Sequence, residues 1–243
     1  MRIKITDIII VVMLLGAVIS IPDYKENLRQ VWKAAERPTV VIDPGHGGID
    51  GGAQATDGTA EKDINLKISL KLKTLLEKEG VRVVMTRDED EALYDDGQEG
   101  AIRTLKTSDM HERKRIIDDA DADLAISVHL NSFTQDSSVK GAQVFYPSAG
   151  DERIVEKSSL AAEMIQDGLN KNINTDKKRT ELAKDDVYLL REASCPIVIT
   201  ECGFLSNSED LSNLKKDGFQ KKISQSLRDS ICRYLEKHSV KTR

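Results

Sequence analysis

Val40-Val41-Ile42-Asp43-Pro44-Gly45-His46-Gly47-Gly48 passes without transition from an apolar β-branched run into a glycine turn that carries one histidine. Glycine permits positive backbone φ and lets main chain approach a bound group closely. Two readings stand on this stretch alone. Either a strand ends in a tight turn with a surface histidine, or its carboxyl end presents a metal ligand.

Outward from this turn, short β-rich runs alternate with longer helical ones. Thr39 to Asp43 is the first strand. Ile64, Ile68, Leu72, Leu75 and Leu76 keep helical spacing up to Gly80 as a C-cap, and Val81 to Thr86 reads as the second strand. A helix from about His111 to Asp119 leads into Leu124 to His129, an apolar strand that ends in a histidine. Ala142 to Tyr146 is another strand and Arg153 to Leu169 a helix. Ile197 to Thr200 is the last buried strand, with Glu201 at its end, and two closing helices cover roughly Glu209 to Lys216 and Phe219 to Lys237. Asp88 to Met110 reads as a long loop or an irregular insertion, and Lys171 to Asp186 as a charged connection. The pattern predicts an α/β fold: one domain, a mainly parallel twisted sheet with helices on both faces.

The 243 residues, 39% of them hydrophobic, suffice for one good-sized core. A net charge of −5 with both signs interspersed offers no face for nucleic acid. Arg2 and Lys4 precede an apolar run from Ile8 to Ile19, short of the roughly 20 residues a membrane span needs. Residues 1–21 therefore read as a signal peptide, with a retained signal anchor as the alternative, since no Ala-x-Ala site is present. Residues 22–37 read as a polar spacer and 38–243 as the catalytic domain. The chain is expected to be exported, secreted or membrane-anchored, touching membrane only through its N-terminal segment. Cys195 and Cys202 bracket a strand that holds them roughly 20 Å apart, beyond disulfide reach, and with Cys232 they read as structural residues.

In open α/β sheets ligands bind at the carboxyl ends of the strands, where His46, His129 and Glu201 all fall. Glu61 opens the first helix near the same rim; taken alone, it reads as an acid compensating the helix dipole. Two imidazoles and one carboxylate form an open zinc site with a position left for water. A second carboxylate outside the coordination sphere can take a proton from that water and pass it to a leaving nitrogen.

Four blocks now stand in order: Ile42 to Gly48; Glu61 with its helix; Ile126-Ser127-Val128-His129-Leu130-Asn131; and Glu201-Cys202-Gly203-Phe204-Leu205-Ser206-Asn207. Together they resemble the zinc-dependent N-acetylmuramoyl-L-alanine amidases of bacterial cell walls, over about Val40 to Leu235. The resemblance implies one Zn2+ per chain held by His46, Glu61 and His129, with Glu201 catalytic. It implies hydrolysis of the amide between the lactyl group of N-acetylmuramic acid and L-alanine in peptidoglycan. Asp43 and Asn131 are candidates for orienting the ligands by hydrogen bonds, against a turn-forming Asp and a strand-end Asn. Arg113 is a candidate substrate contact, against a solvated helix face.

The minimal size and the Asp88 to Met110 segment are similar to the spore-cortex, germination-specific subgroup. That similarity implies a step toward muramic lactam in partnership with a muramic acid deacetylase, in the space between the forespore membranes, with a protein activator as a further partner. Thr200 and Cys202 depart from the usually apolar positions beside the glutamate. Two other readings remain: a zinc peptidase cutting within the stem peptide, and a peptidoglycan-binding module of low intrinsic activity.

Overall fold

Residues 37–94 and 101–238 are described by a computed structural model. The export segment and all but the last residue of the spacer lie outside the described residues. In chain order the elements are β1 (Thr39–Pro44), α1 (Glu61–Lys78), β2 (Arg82–Met85), α2 (Ile102–Asp119), β3 (Leu124–Asn131) and β4 (Gln143–Pro147). They continue with α3 (Glu152–Asn172), β5 (Leu182–Lys184), α4 (Tyr188–Glu192), β6 (Ile197–Phe204), α5 (Ser208–Leu214) and α6 (Asp217–His238). The sheet runs β2-β1-β3-β6-β4-β5, and every neighbouring pair is parallel except β4 with β6.

All six residues of β1 are buried, as expected of a parallel strand covered on both faces, which reads as a continuous apolar run. The alternation of side chains along each strand then sorts them between two cores. Val40, Ile42, Ile126 and Val198 face the larger core, built with residues of α1, α3 and α6 such as Ile68, Ile165 and Leu227. Val41, Ala125, Ile197 and Ile199 face a smaller one with Ile117 of α2 and Leu189 and Leu190 of α4. His129 and Glu201 stay in phase with this second set. The face they occupy is the one with the thinner helical cover.

The stop of α1 follows from Gly80 at φ 83, with the amides of Gly80 and Val81 bonded back to the carbonyls of Glu77 and Leu76. This is the left-handed helix end that glycine allows at no steric cost. It turns the chain directly into β2.

Three expectations need correction. Ile102 to Met110 is helical, so about the second half of the segment read as loop or insertion belongs to α2. Its periodicity is invisible because only Arg113 and Ile117 of that helix are buried. The charged connection from Lys171 to Asp186 contains the three-residue edge strand β5, too short to show a pattern. Finally, β6 does not end before Glu201 but carries it inside the strand. Cys195, Cys202 and Cys232 are free thiols, the first two buried. Among the described residues no helix is long and apolar enough to cross a membrane.

Candidate metal and catalytic site

His46, Gly47 and Gly48 all have positive φ, at 63, 141 and 54 degrees. A histidine in the left-handed region is an uncommon, strained choice that persists where the surroundings impose it. Here the surroundings are two buried arginines. Arg113 donates to the carbonyls of Pro44 (2.9 Å) and His46 (2.6 Å), and Arg87 to those of Pro44 and Gly45 (both 3.0 Å). The turn is closed above by paired main-chain bonds between Gly47 and Asp50 of 2.9 and 3.0 Å.

This turn delivers His46 Nε2 to within 3.3 Å of Glu61 Oε2, while His129 Nδ1 lies 3.0 Å from Glu61 Oε1. One donor atom from each residue falls within 4.8 Å of the others. Glu61 is 3% exposed, and its two oxygens are aimed by the main chain: Ala53 N donates to Oε2 at 2.8 Å and Leu130 N to Oε1 at 3.0 Å. Asn65 Nδ2 adds a contact at 3.3 Å. On the far side of His46, Asp50 Oδ2 sits 3.0 Å from Nδ1 and is itself held by Lys106 Nζ, bonded to Oδ1 at 2.8 Å. A carboxylate on Nδ1 fixes the tautomer that leaves Nε2 free as a ligand.

Charge is concentrated at His46 and Glu61. Burial pulls the His46 imidazole down, but Asp50 and Glu61 overcome it and carry it up to about 9. Burial pushes Glu61 up, and His129 and His46 together hold it well below the usual carboxylate range. Two imidazole nitrogens and an anionic carboxylate oxygen are the donor set of an open zinc site, so the residues present fit the ion.

Close packing tightens the arrangement further. A Cβ on Gly45 would lie 2.2 Å from His129 Cε1 and 2.3 Å from its Nε2, and one on Gly52 would lie 2.6 Å from Glu61 Oε2 and 2.7 Å from His46 Cδ2. Gly45→Ala therefore displaces His129. Turnover on peptidoglycan is expected to fall by about a hundredfold, the scale of a misplaced reacting group, with metal content falling alongside. Wild-type values for both would show that His129 does not need its present position.

Glu201 pairs with His129 across β3 and β6. Its Oε2 is buried with no hydrogen-bond partner among the described residues. Burial raises its pKa, opposed by the charge of His129. Two neighbouring carboxylates are thus pushed in opposite directions, Glu61 toward the anion and Glu201 toward the protonated acid, the kind of separation that lets two carboxyls take different roles.

Other candidate residues stand differently. Asp43 accepts from Thr86 Oγ1, Ser127 Oγ and Arg113 Nη1 at 2.6 to 2.7 Å, so it acts on the His46 turn through Arg113 and not through a bond to a ligand. Asn131 Oδ1 accepts from the Ser132 amide at 2.8 Å. Arg113 is 1% exposed and bonded to Asp43, Asp109 and two carbonyls, which makes it neither a substrate contact nor part of a solvated face. The pattern of its helix gave no sign that this position leans on the glycine turn. Asp50, Asn65 and Arg87 escaped the sequence reading altogether. Asn65 carried a usable signal, lying one helical turn after Glu61 and so on the same face of α1.

The family pattern described as N-acetylmuramoyl-L-alanine amidase matches residues 40–233. Over 217 residues the chain is 34% identical to the germination-specific N-acetylmuramoyl-L-alanine amidase of Bacillus subtilis strain 168, covering 87% of each chain. It is 28% identical to the sporulation-specific N-acetylmuramoyl-L-alanine amidase of the same organism, covering 76% of this chain and 64% of that one. Among solved structures it is similar to the CwlD amidase of Clostridioides difficile in complex with the GerS lipoprotein. The TM-score there is 0.77 and the identity 37%, over 82% of this chain and 99% of that one.

Proposed function

The chain belongs to the N-acetylmuramoyl-L-alanine amidase family, and on that premise we propose that it cleaves peptidoglycan with one zinc ion held by His46, Glu61 and His129 and with Glu201 as its proton carrier. The observation that carries this reading is the convergence of three ligand atoms within 4.8 Å beside Glu201, whose Oε2 is buried with no hydrogen-bond partner among the described residues. Zinc bound there supplies polarisation of the scissile carbonyl and a lowered pKa for the attacking water.

The rest is done by side chains of the protein. Glu201 takes a proton from the water as the new carbon–oxygen bond forms at the lactyl carbonyl. It then returns that proton to the amide nitrogen as the carbon–nitrogen bond breaks, leaving a lactyl carboxyl and the free amine of L-alanine. A carboxyl raised by burial suits both halves of this cycle, because it holds the proton between them. Asp50 keeps His46 in one tautomer, and the main-chain amides of Ala53 and Leu130 keep Glu61 aimed.

The cortex assignment rests on similarity to the germination-specific and sporulation-specific amidases. In this reading residues 1–21 export the chain, residues 22–37 space it from the membrane, and the domain from Pro38 acts between the forespore membranes. Its product becomes muramic lactam after a partner deacetylase removes the N-acetyl group and frees the amine for the lactyl carboxyl. The similar CwlD amidase is in complex with the GerS lipoprotein, which supports a protein partner for this chain as well.

Mass spectrometry of muropeptides tests both levels. Digestion of purified peptidoglycan is expected to yield lactyl carboxyls and intact stems with free L-alanine amines; shortened stems would make the enzyme a peptidase. Cortex from a strain lacking the chain is expected to contain no muramic lactam, and wild-type lactam content would remove the cortex role.

A further inference from the structure

The sheet face opposite His129 and Glu201 is covered by α1, α3 and α6, and on its outer surface α1 and α6 form a crevice whose chemistry the reaction does not use. Its volume is 420 Å³, and it is lined by Lys67, Leu70, Lys71, Thr74, Leu75, Lys78 and Lys221. The six lining residues of α1 recur at intervals of one, three and four, which places them in one stripe along the helix, roughly 16 Å long. Leu70 is 36% exposed. Four ammonium groups therefore ring a floor of leucine and threonine methyl groups. Among the described residues a single carboxylate opposes them, Asp217, which is 2.8 Å from Lys71 and largely in solvent. In a chain of net charge −5 this is a local reversal of sign.

We propose that this face docks on the anionic headgroups of a phospholipid bilayer. Lysines alone would suit any polyanion. The apolar floor and the protruding Leu70 are what select a lipid surface, since lysine stems can lie along the acyl boundary with their ammonium groups among phosphates while the leucine enters between them. The export reading of residues 1–21 brings the chain to a bilayer. Docking by α1 and α6 leaves the opposite face of the sheet, with the catalytic rim, directed away from the lipid and toward the wall.

The test places a fluorophore at the contact in the full chain, with Leu70→Trp in a Trp32→Phe background and vesicles whose acyl chains carry bromine. Fluorescence is expected to be quenched in vesicles containing phosphatidylglycerol and to stay nearly unquenched in pure phosphatidylcholine. Apparent affinity read from the quenching should drop about tenfold or more in K67E/K71E/K78E, with amidase activity on isolated peptidoglycan unchanged. High salt should release the unmodified lysines equally, without any change to the fold. No quenching in anionic vesicles, or equal quenching in neutral ones, overturns the proposal. So does binding to a soluble polyglycerol phosphate without quenching, which would make the partner a wall polymer. Because the readout is at residue 70 and not at the active site, failure here leaves the zinc amidase reading standing.

Discussion

Replacing Glu201 with Gln lowers turnover on peptidoglycan by at least about a hundredfold while zinc content and binding to insoluble wall remain those of the unaltered chain. The amide has nearly the shape of the carboxyl, so the packing between β3 and β6 has no reason to change. What it lacks is the ability to accept a proton from water. Because Glu201 Oε2 makes no hydrogen bond among the described residues, its loss leaves no structural partner unsatisfied, and the effect should fall on kcat with little change in KM. A variant that folds, holds zinc and turns over normally would show that some other group moves the proton.

Arg113→Ala destabilises the fold by about 3 to 5 kcal/mol, the range for removing one partner of a buried ion pair, as measured by urea denaturation. Both side chains of the Arg113–Asp43 pair are 2% exposed, 2.6 Å apart. The same guanidinium also bonds the carbonyl of His46, so the loss reaches the strained turn as well as the core. The effect carries a pH signature. Burial pushes Asp43 up, but Arg113, Ser127 and Thr86 overcome it and hold it at about 2, below its ordinary 3.8. A depressed carboxylate contributes stability that is present above its unfolded pKa and lost as pH falls through the folded one. Without Arg113 burial prevails and Asp43 takes up a proton in the fold more readily. The gap in stability between the two proteins should therefore close as pH falls from about 4 to about 2. A gap independent of pH would mean that Arg113 acts by packing alone. Changing both residues together, to Met at 113 and Asn at 43, should cost less than Arg113→Ala, because no buried charge is left unpaired.

What could be read from the sequence follows from where periodicity survives. The strands of the parallel sheet are buried on both faces and stand out as apolar runs, so β1, β3 and the buried part of β6 were legible along with the histidines they carry. The helix α2 was half lost, because its inward face is built on an arginine and one isoleucine. The same fact hid the support of the site. Arg113 looks like a surface residue in any helical pattern, yet it ties Asp43, Pro44 and His46 together from below. Asp50 lies inside the glycine turn, where no periodicity applies, and only the folded turn brings its carboxylate against His46 Nδ1. The glycine turn proved more demanding than its composition implied: Gly45 is required for clearance of the His129 ring, and the positive φ extends to His46 itself.

The zinc content of three purified proteins, measured per chain beside their turnover, tests the site most directly: the unaltered enzyme, Glu201→Gln, and His46→Ala with His129→Ala. One zinc per chain is expected in the first two, with turnover only in the first, and neither zinc nor turnover in the third. Zinc retained at one per chain in the double histidine variant would contradict the assignment of the site.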